Sequence, residues 1–252
     1  MQQFNHDTST PVRTMDVVRV LVLFSLTAYF AYNIASGNLT NYINERFVWL
    51  SYVAVVIFFA LGLADAYALM KRDQDNDAFR QFDHNRVTWP IIGFAAVPLL
   101  LGVLIPSQPL GAEAINGNIS FSVASVDGAV TSSEMKAPLD RNVLDWLRIF
   151  SGTTTPSDYD GQPAQMIGFV YREPDFPEGH FMISRFTVAC CVADASAFGI
   201  PVYAPEADVA DGQWVQVNGT FAAGLFRDLK TPILQAEALE VVPQPDHPYL
   251  YS

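Results

Sequence analysis

The chain shows two regimes of hydrophobic patterning. As far as Ile105 the apolar residues come in three long unbroken stretches, Val17 to Ala35, Phe47 to Met70 and Trp89 to Ile105. A hydrocarbon core about 30 Å thick takes about 20 helical residues, with roughly 17 to 25 tolerated. Each stretch therefore predicts a spanning helix. A helix buried in a soluble core would carry a polar stripe, and segments such as VAVVIFFALGLA carry none. Trp89, at the edge of the third and shortest stretch, is a residue type that favours the membrane interface. A cleaved signal peptide is a poor reading of the first stretch, because its polar leader is long, contains Asp7 and Asp16, and precedes two further apolar stretches.

After Ile105 the pattern changes. PSQPLGAEAINGN is punctuated by Pro and Gly as a linker is. In LDRNVLDWLRIF, residues Leu139, Val143, Trp146, Leu147 and Phe150 recur at helical spacing, with Asp140 placed to cap the first turn. Five short apolar runs follow: QMIGFVY, HFMISRFTVACC, GIPVYA, QWVQVNGTF and PILQAEALEVV. Runs of this kind between Pro, Gly and Asp loops predict a small barrel or sandwich, and the last two pair as the end of an oligonucleotide/oligosaccharide-binding (OB) barrel does. The expected fold class is a membrane α-helical N-terminal region plus a mostly β, OB-like C-terminal soluble domain. The expected organisation is a polar segment 1–16, a transmembrane region 17–105 with helices 17–35, 47–70 and 89–105, a linker and first extended segment 106–137, and a β-rich domain 138–252.

Charge adds an orientation. Lys and Arg in short loops near span ends are retained in the cytoplasm. Lys71, Arg72, Arg80 and Arg86 lie between the second and third stretches, whereas only Arg46 lies between the first and second. This predicts a multi-pass cell-membrane protein with a cytoplasmic N-terminus and an extracytoplasmic C-terminal domain. The whole chain carries a formal net charge of −12, and residues 106–252 hold 7 Lys+Arg against 18 Asp+Glu, so nearly all the acidity sits on that domain. Such a field disfavours nucleic acid and anionic surfaces and favours cations or basic partners.

The two cysteines are adjacent, Cys190 and Cys191. Neighbouring Cα atoms lie about 3.8 Å apart, short of the roughly 4.4–6.8 Å that relaxed disulfides prefer, so a structural disulfide within the chain is disfavoured. On an oxidising face the thiols need burial, a metal or a redox role. Strand neighbours point to opposite faces, so both sulfurs reach one ion only if the strand ends or bulges there. If it does, Asp194 follows closely enough to add an oxygen ligand, and the set suits zinc or a soft cation such as Cu(I). The competing readings are one cysteine as a small core hydrophobe with the other as its half-buried neighbour, or a strained, easily reduced vicinal disulfide. His180, ten residues upstream in an extended run, is a poor further ligand.

Two more charges stand among apolar neighbours. Asp65 lies inside the second stretch, where snorkelling to the interface or pairing with Lys71 is expected. Arg185, within HFMISRFTVACC, is expected to pair with one of the domain's carboxylates, and its closeness to the cysteines makes it a further candidate site residue. The sequence contains no GxSxG, HExxH, P-loop or dinucleotide fingerprint, so no enzymatic constellation is expected.

The strings GFVYREPDFPEGHFMISRFTVACCVADASAFGIPVYAP and DGQWVQVNGTF, with the terminal PDHPYLY, resemble the bacterial YcgQ-like family of predicted permease subunits. The resemblance is most specific at Gly168–Tyr171, at Arg185-Phe186 through Cys190-Cys191, and at Ala193–Ala195. It implies a membrane protein that works beside a larger polytopic permease in the lipid bilayer, with its outward β domain binding or gating substrate at the transporter mouth. It assigns no catalytic residue. The residue-level alternative is an extracytoplasmic zinc- or copper-handling protein built on Cys190, Cys191 and Asp194.

Overall fold

The computed structural model describes residues 10–72, 89–115, 119–120, 136–152 and 155–251. They form two compact units: Met1–Leu39 with Glu45–Gln108, and Thr40–Asn44 with Pro109–Ser252.

The first unit is helical. Helix α1 runs Thr10–Ala35, α2 Val48–Arg72 and α3 Trp89–Leu104. The first begins earlier than hydrophobicity alone suggests, with Pro11 in its opening turn, where a missing N–H leaves no bond unmade. At 1.5 Å per residue the first two helices reach nearly 40 Å, and α3 about 24 Å. Among the described residues two helices, over Thr14–Ala35 and Glu45–Lys71, are long and apolar enough to cross a bilayer, and only 6% and 11% of their 18-residue apolar windows is buried in protein. Bare apolar side chains such as Leu21 and Val56 on these helices would be costly in water, which fits membrane association. Arg80 and Arg86 lie outside the described residues.

Helices α1 and α2 form an antiparallel pair. Phe24 meets Phe59 edge to face at 5.9 Å, and Phe30 meets Phe58 at 5.8 Å. Asp65 does not pair with Lys71 as expected. It makes an ion pair with Arg19 of α1 at 2.8 Å, without hydrogen-bond alignment. The adjacent helix offers a cation at the same depth, which the local sequence around Asp65 does not reveal.

The second unit is a closed barrel. Its strands are β1 Ile119–Ser120, β2 Pro163–Tyr171, β3 His180–Thr187, β4 Ser196–Tyr203, β5 Trp214–Phe226, β6 Leu229–Val241 and β7 Tyr249–Leu250. The ring runs β2-β3-β4-β6-β5 and back to β2, antiparallel throughout except for the β4–β6 contact. Five strands closed in this order, with the third and fifth parallel, make an OB-like barrel. β1 and β7 add parallel to β4 and β3 as short outer strands.

Alternation sorts the side chains. Met166 and Val170 of β2, Phe181 and Ile183 of β3, Ile200 and Val202 of β4, and Val215 and Val217 of β5 fill the interior. Their neighbours Phe169, Tyr171, Met182 and Phe186 point outward, yet they are also buried, beneath Ile115, Ile119 and Tyr249. Burial on both faces explains why HFMISRFT reads as a nearly continuous apolar run. At the end of the ring, Arg227 (φ 49°) and Asp228 (φ 60°) close the β5–β6 hairpin as a two-residue turn of the left-handed kind that suits strand twist. A bulge at Asn218/Gly219 bends β5 against β6, and a side chain at Gly219 would collide with the Gln235 carbonyl.

Helix α4, Val143–Ser151, packs Val143, Leu144, Trp146, Leu147 and Ile149 into the same interior. It starts three residues after Asp140, which lies in a preceding 3₁₀ turn and is not its cap. Asn142 is the cap: its Oδ1 accepts the Asp145 N–H at 3.0 Å, and Asp145 Oδ2 accepts the Asn142 N–H at 3.1 Å. This reciprocal pair satisfies two otherwise orphaned donors, which a lone carboxylate farther upstream cannot match. Leu139 is consequently left exposed.

Candidate functional site

Strand β3 ends at Thr187, and the chain turns through Val188–Ala195 before β4 begins. Val188 is buried, while Cys190 and Asp194 are exposed and Cys191 is half-buried. Cys191 is extended, and Val192–Asp194 form one 3₁₀ turn that brings Asp194 back beneath the residues before it. Its carboxylate accepts three backbone N–H groups, from Ala189 at 2.7 Å, Cys190 at 2.8 Å and Cys191 at 3.1 Å. The turn is therefore organised around one side chain. The two sulfurs lie 3.7 Å apart, and a ligand atom from each of Cys190, Cys191 and Asp194 lies within 4.8 Å of the others. The strand termination that convergence of the two thiols requires is present.

The electrostatics of the turn oppose a nucleophilic thiol. Cys190 is pushed up to about 11 by its contact with the Asp194 carboxylate and then by the neighbouring sulfur. Asp194 is held down to about 2 by the Cys190 thiol and by the backbone N–H groups directed at it. A thiol that attacks disulfides near neutral pH needs the opposite shift, toward the thiolate.

The turn is also fastened to a distant stretch of chain. Residues 42–44, which lie between α1 and α2, run beside it: Ile43 bridges to Cys191, Asn44 N–H donates to the Cys190 carbonyl at 3.0 Å, and Val192 N–H donates to the Tyr42 carbonyl at 2.9 Å. The buried Asn44 amide adds two bonds, to the Val188 carbonyl at 3.2 Å and the Ala189 carbonyl at 2.9 Å. Nearby, the buried Tyr249 hydroxyl donates to the Asn41 carbonyl at 3.1 Å and accepts the Leu110 N–H at 2.9 Å. Burial raises the Tyr249 phenol, and the Leu110 N–H partly offsets it.

Arg185 stands apart from this site, and the expected carboxylate partner is absent among its described contacts. Its guanidinium donates to the Pro248 carbonyl at 3.0 Å, the His247 carbonyl at 2.8 Å and the Ile167 carbonyl at 3.2 Å, and it lies 5.1 Å over the Trp214 ring. Burial lowers it to about 10. Carbonyl oxygens and an aromatic face replace the ion pair because the C-terminal tail folds over this position, making Arg185 a clamp on the tail. His180, at the opposite end of β3, packs against Tyr203 with ring centroids 4.8 Å apart and the planes tilted by 45°.

Model domains of one family account for both units: the DUF1980 N-terminal domain matches residues 18–119 and the DUF1980 C-terminal domain matches residues 132–252. The chain belongs to the DUF1980 family. Two relatives align with this DUF1980 chain over nearly their whole length. The UPF0703 protein YcgQ of Bacillus subtilis (strain 168) is 23% identical over 283 residues, covering 92% of this chain and 98% of that protein. A Streptococcus mutans protein, named as a candidate two-component membrane permease complex subunit, is 23% identical over 282 residues, covering 93% and 99%. The YcgQ-like resemblance read from the sequence therefore holds across both units of the DUF1980 chain. Asn44 and Tyr249, which join the first of these domains to the second, were not singled out by sequence reasoning. Each is separated from its partners by more than a hundred residues, and although Tyr249 lies in the terminal PDHPYLY string, nothing local marks its pairing.

Proposed function

We propose that this protein is a non-catalytic, membrane-anchored subunit of a permease complex, with its acidic barrel on the outer side of the membrane at the mouth of a polytopic partner. The observation that carries this reading is the docking of residues 42–44 onto the Val188–Val192 turn. Thr40–Asn44, which connect α1 to α2, fold with the barrel, and this supports a topology in which that connection is on the outer side. The N-terminus and Lys71 then fall on the other side, which agrees with retention of cations in the cytoplasm.

The acidic surface and the covered barrel support a protein or cation partner over nucleic acid. OB-type barrels bind oligonucleotides on the face of the second and third strands and through the loops at its ends. Here the outward residues of β3 lie beneath Ile119 and Tyr249. The β2–β3 loop and the β5–β6 turn are tied together, with Arg227 pairing with Glu173 and Asp175 and lying 4.8 Å over Phe176. The raised Cys190 thiol supports a non-catalytic role. The test is affinity purification of the full-length chain in mild detergent from its own membranes. Stoichiometric recovery of one polytopic membrane protein is expected, together with its loss when residues 42–44 are replaced by a Gly-Ser linker. A chain that purifies alone would overturn the proposal.

A further inference from the structure

Beyond the partner reading, and independent of it, we infer that Cys190, Cys191 and Asp194 form a binding site for one thiophilic d¹⁰ cation of the zinc class, with an open coordination position facing solvent. A tetrahedral ion with metal–sulfur bonds of about 2.3 Å places two sulfurs about 3.8 Å apart along one edge. The two sulfurs here are separated by 3.7 Å, and the Asp194 oxygen falls within the same 4.8 Å envelope. Adjacent residues in a continuing strand would point their sulfurs to opposite faces. The break after Thr187 and the 3₁₀ turn at Val192–Asp194 remove that obstacle.

Asp194 already accepts three N–H groups, two on Oδ2 and one on Oδ1. A carboxylate offers about four acceptor positions, and the one engaged by the Cys190 thiol is vacated for the ion when that thiol loses its proton. The N–H donors fix the carboxylate in place, as outer partners do for ligands in established metal sites. Two thiolates select zinc, cadmium or copper(I) over magnesium and calcium, which prefer all-oxygen shells. Binding follows M²⁺ + 2 RSH → M(SR)₂ + 2 H⁺, with both thiol protons released to solvent and no redox step. The site has three protein ligands, two of them exposed, so a fourth ligand must come from water or from another molecule. Such a site suits holding and passing on an ion, whereas structural zinc is enclosed by four protein ligands.

The test is titration of the full-length, reduced protein in detergent, without its partner, using Cd²⁺ as the probe. Sulfur-to-cadmium charge-transfer absorbance is expected to saturate at one ion per chain, to be reversed by Zn²⁺ and not by Mg²⁺, and to weaken about 100-fold per unit fall in pH because two protons are displaced. The C190S/C191S double variant should lose the band while keeping the wild-type circular dichroism, and Asp194→Asn should weaken binding at least tenfold. A band no stronger in wild type than in the double-serine variant would overturn the site. So would saturation at one ion per two chains. Because no partner is present, either failure leaves the permease-subunit reading to its own experiment.

Discussion

Replacing Asn44 with alanine tests the tie between the helix-connecting loop and the cysteine turn. The substitution removes two side-chain hydrogen bonds, to the Val188 and Ala189 carbonyls, while the backbone bonds from Asn44 to Cys190 and from Val192 to Tyr42 remain possible. Each lost bond is worth about 1 kcal/mol net, and stranding a buried carbonyl adds roughly 1–3 kcal/mol. Val188 is fully buried, so its carbonyl bears that penalty, whereas the Ala189 carbonyl is within reach of water. The docking should therefore weaken by about 3 kcal/mol, which is roughly a hundredfold in the opening equilibrium at about 1.4 kcal/mol per decade. Hydrogen exchange of the full-length protein in detergent measures this at the Val192 amide, with Val217 inside the barrel as an internal control. The expected result is about a hundredfold loss of protection at Val192 and none at Val217. Protection at Val192 within threefold of wild type would refute the energetic role assigned to Asn44. A parallel loss at Val217 would show that the barrel itself had been damaged.

Other predictions follow from the turn and the core. Asp194 is held at about 2, below the ordinary carboxylate value, so its stabilisation of the turn is complete above about pH 5 and fades as pH falls through 4 toward 2. Amide protection at Cys191 should accordingly differ between wild type and Asp194→Asn at pH 6, and the two should converge by pH 2. The Cys190 thiol, at about 11, should react with iodoacetamide at a rate that still rises about tenfold per pH unit from pH 8 to 10, where an ordinary thiol levels off. A plateau below pH 9 would contradict the geometry. Trp146 is fully buried, 4.8 Å from the Phe221 ring, and Trp146→Ala should cost about 3–5 kcal/mol, read as a large fall in the midpoint of denaturant unfolding.

Much of the architecture was legible because it depends on periodicity. Unbroken apolar stretches marked α1 and α2, and short apolar runs between turn residues marked all five barrel strands, since each has one face in the barrel interior. The extension of β5 through Phe226 was not marked, because AAGLF lacks alternation and the Arg227-Asp228 turn uses residues other than Gly or Asn. The short strands β1 and β7 depend on long-range pairing and leave no local signal. At the site, Cys190, Cys191 and Asp194 were legible because their spacing is local. Asn44 was not, since its partners lie more than 140 residues away. Arg185 was legible as a buried charge but not in its pairing, because local sequence does not show that the tail supplies backbone oxygens instead of carboxylates.

The Tyr249 hydroxyl holds both the Asn41 carbonyl and the Leu110 amide, and β7 is laid beside β3 only when the tail is in place. A single phenol thus couples three stretches of chain that are remote in sequence, so a chemical change at that one oxygen would release the Asn41 carbonyl and the Leu110 amide together.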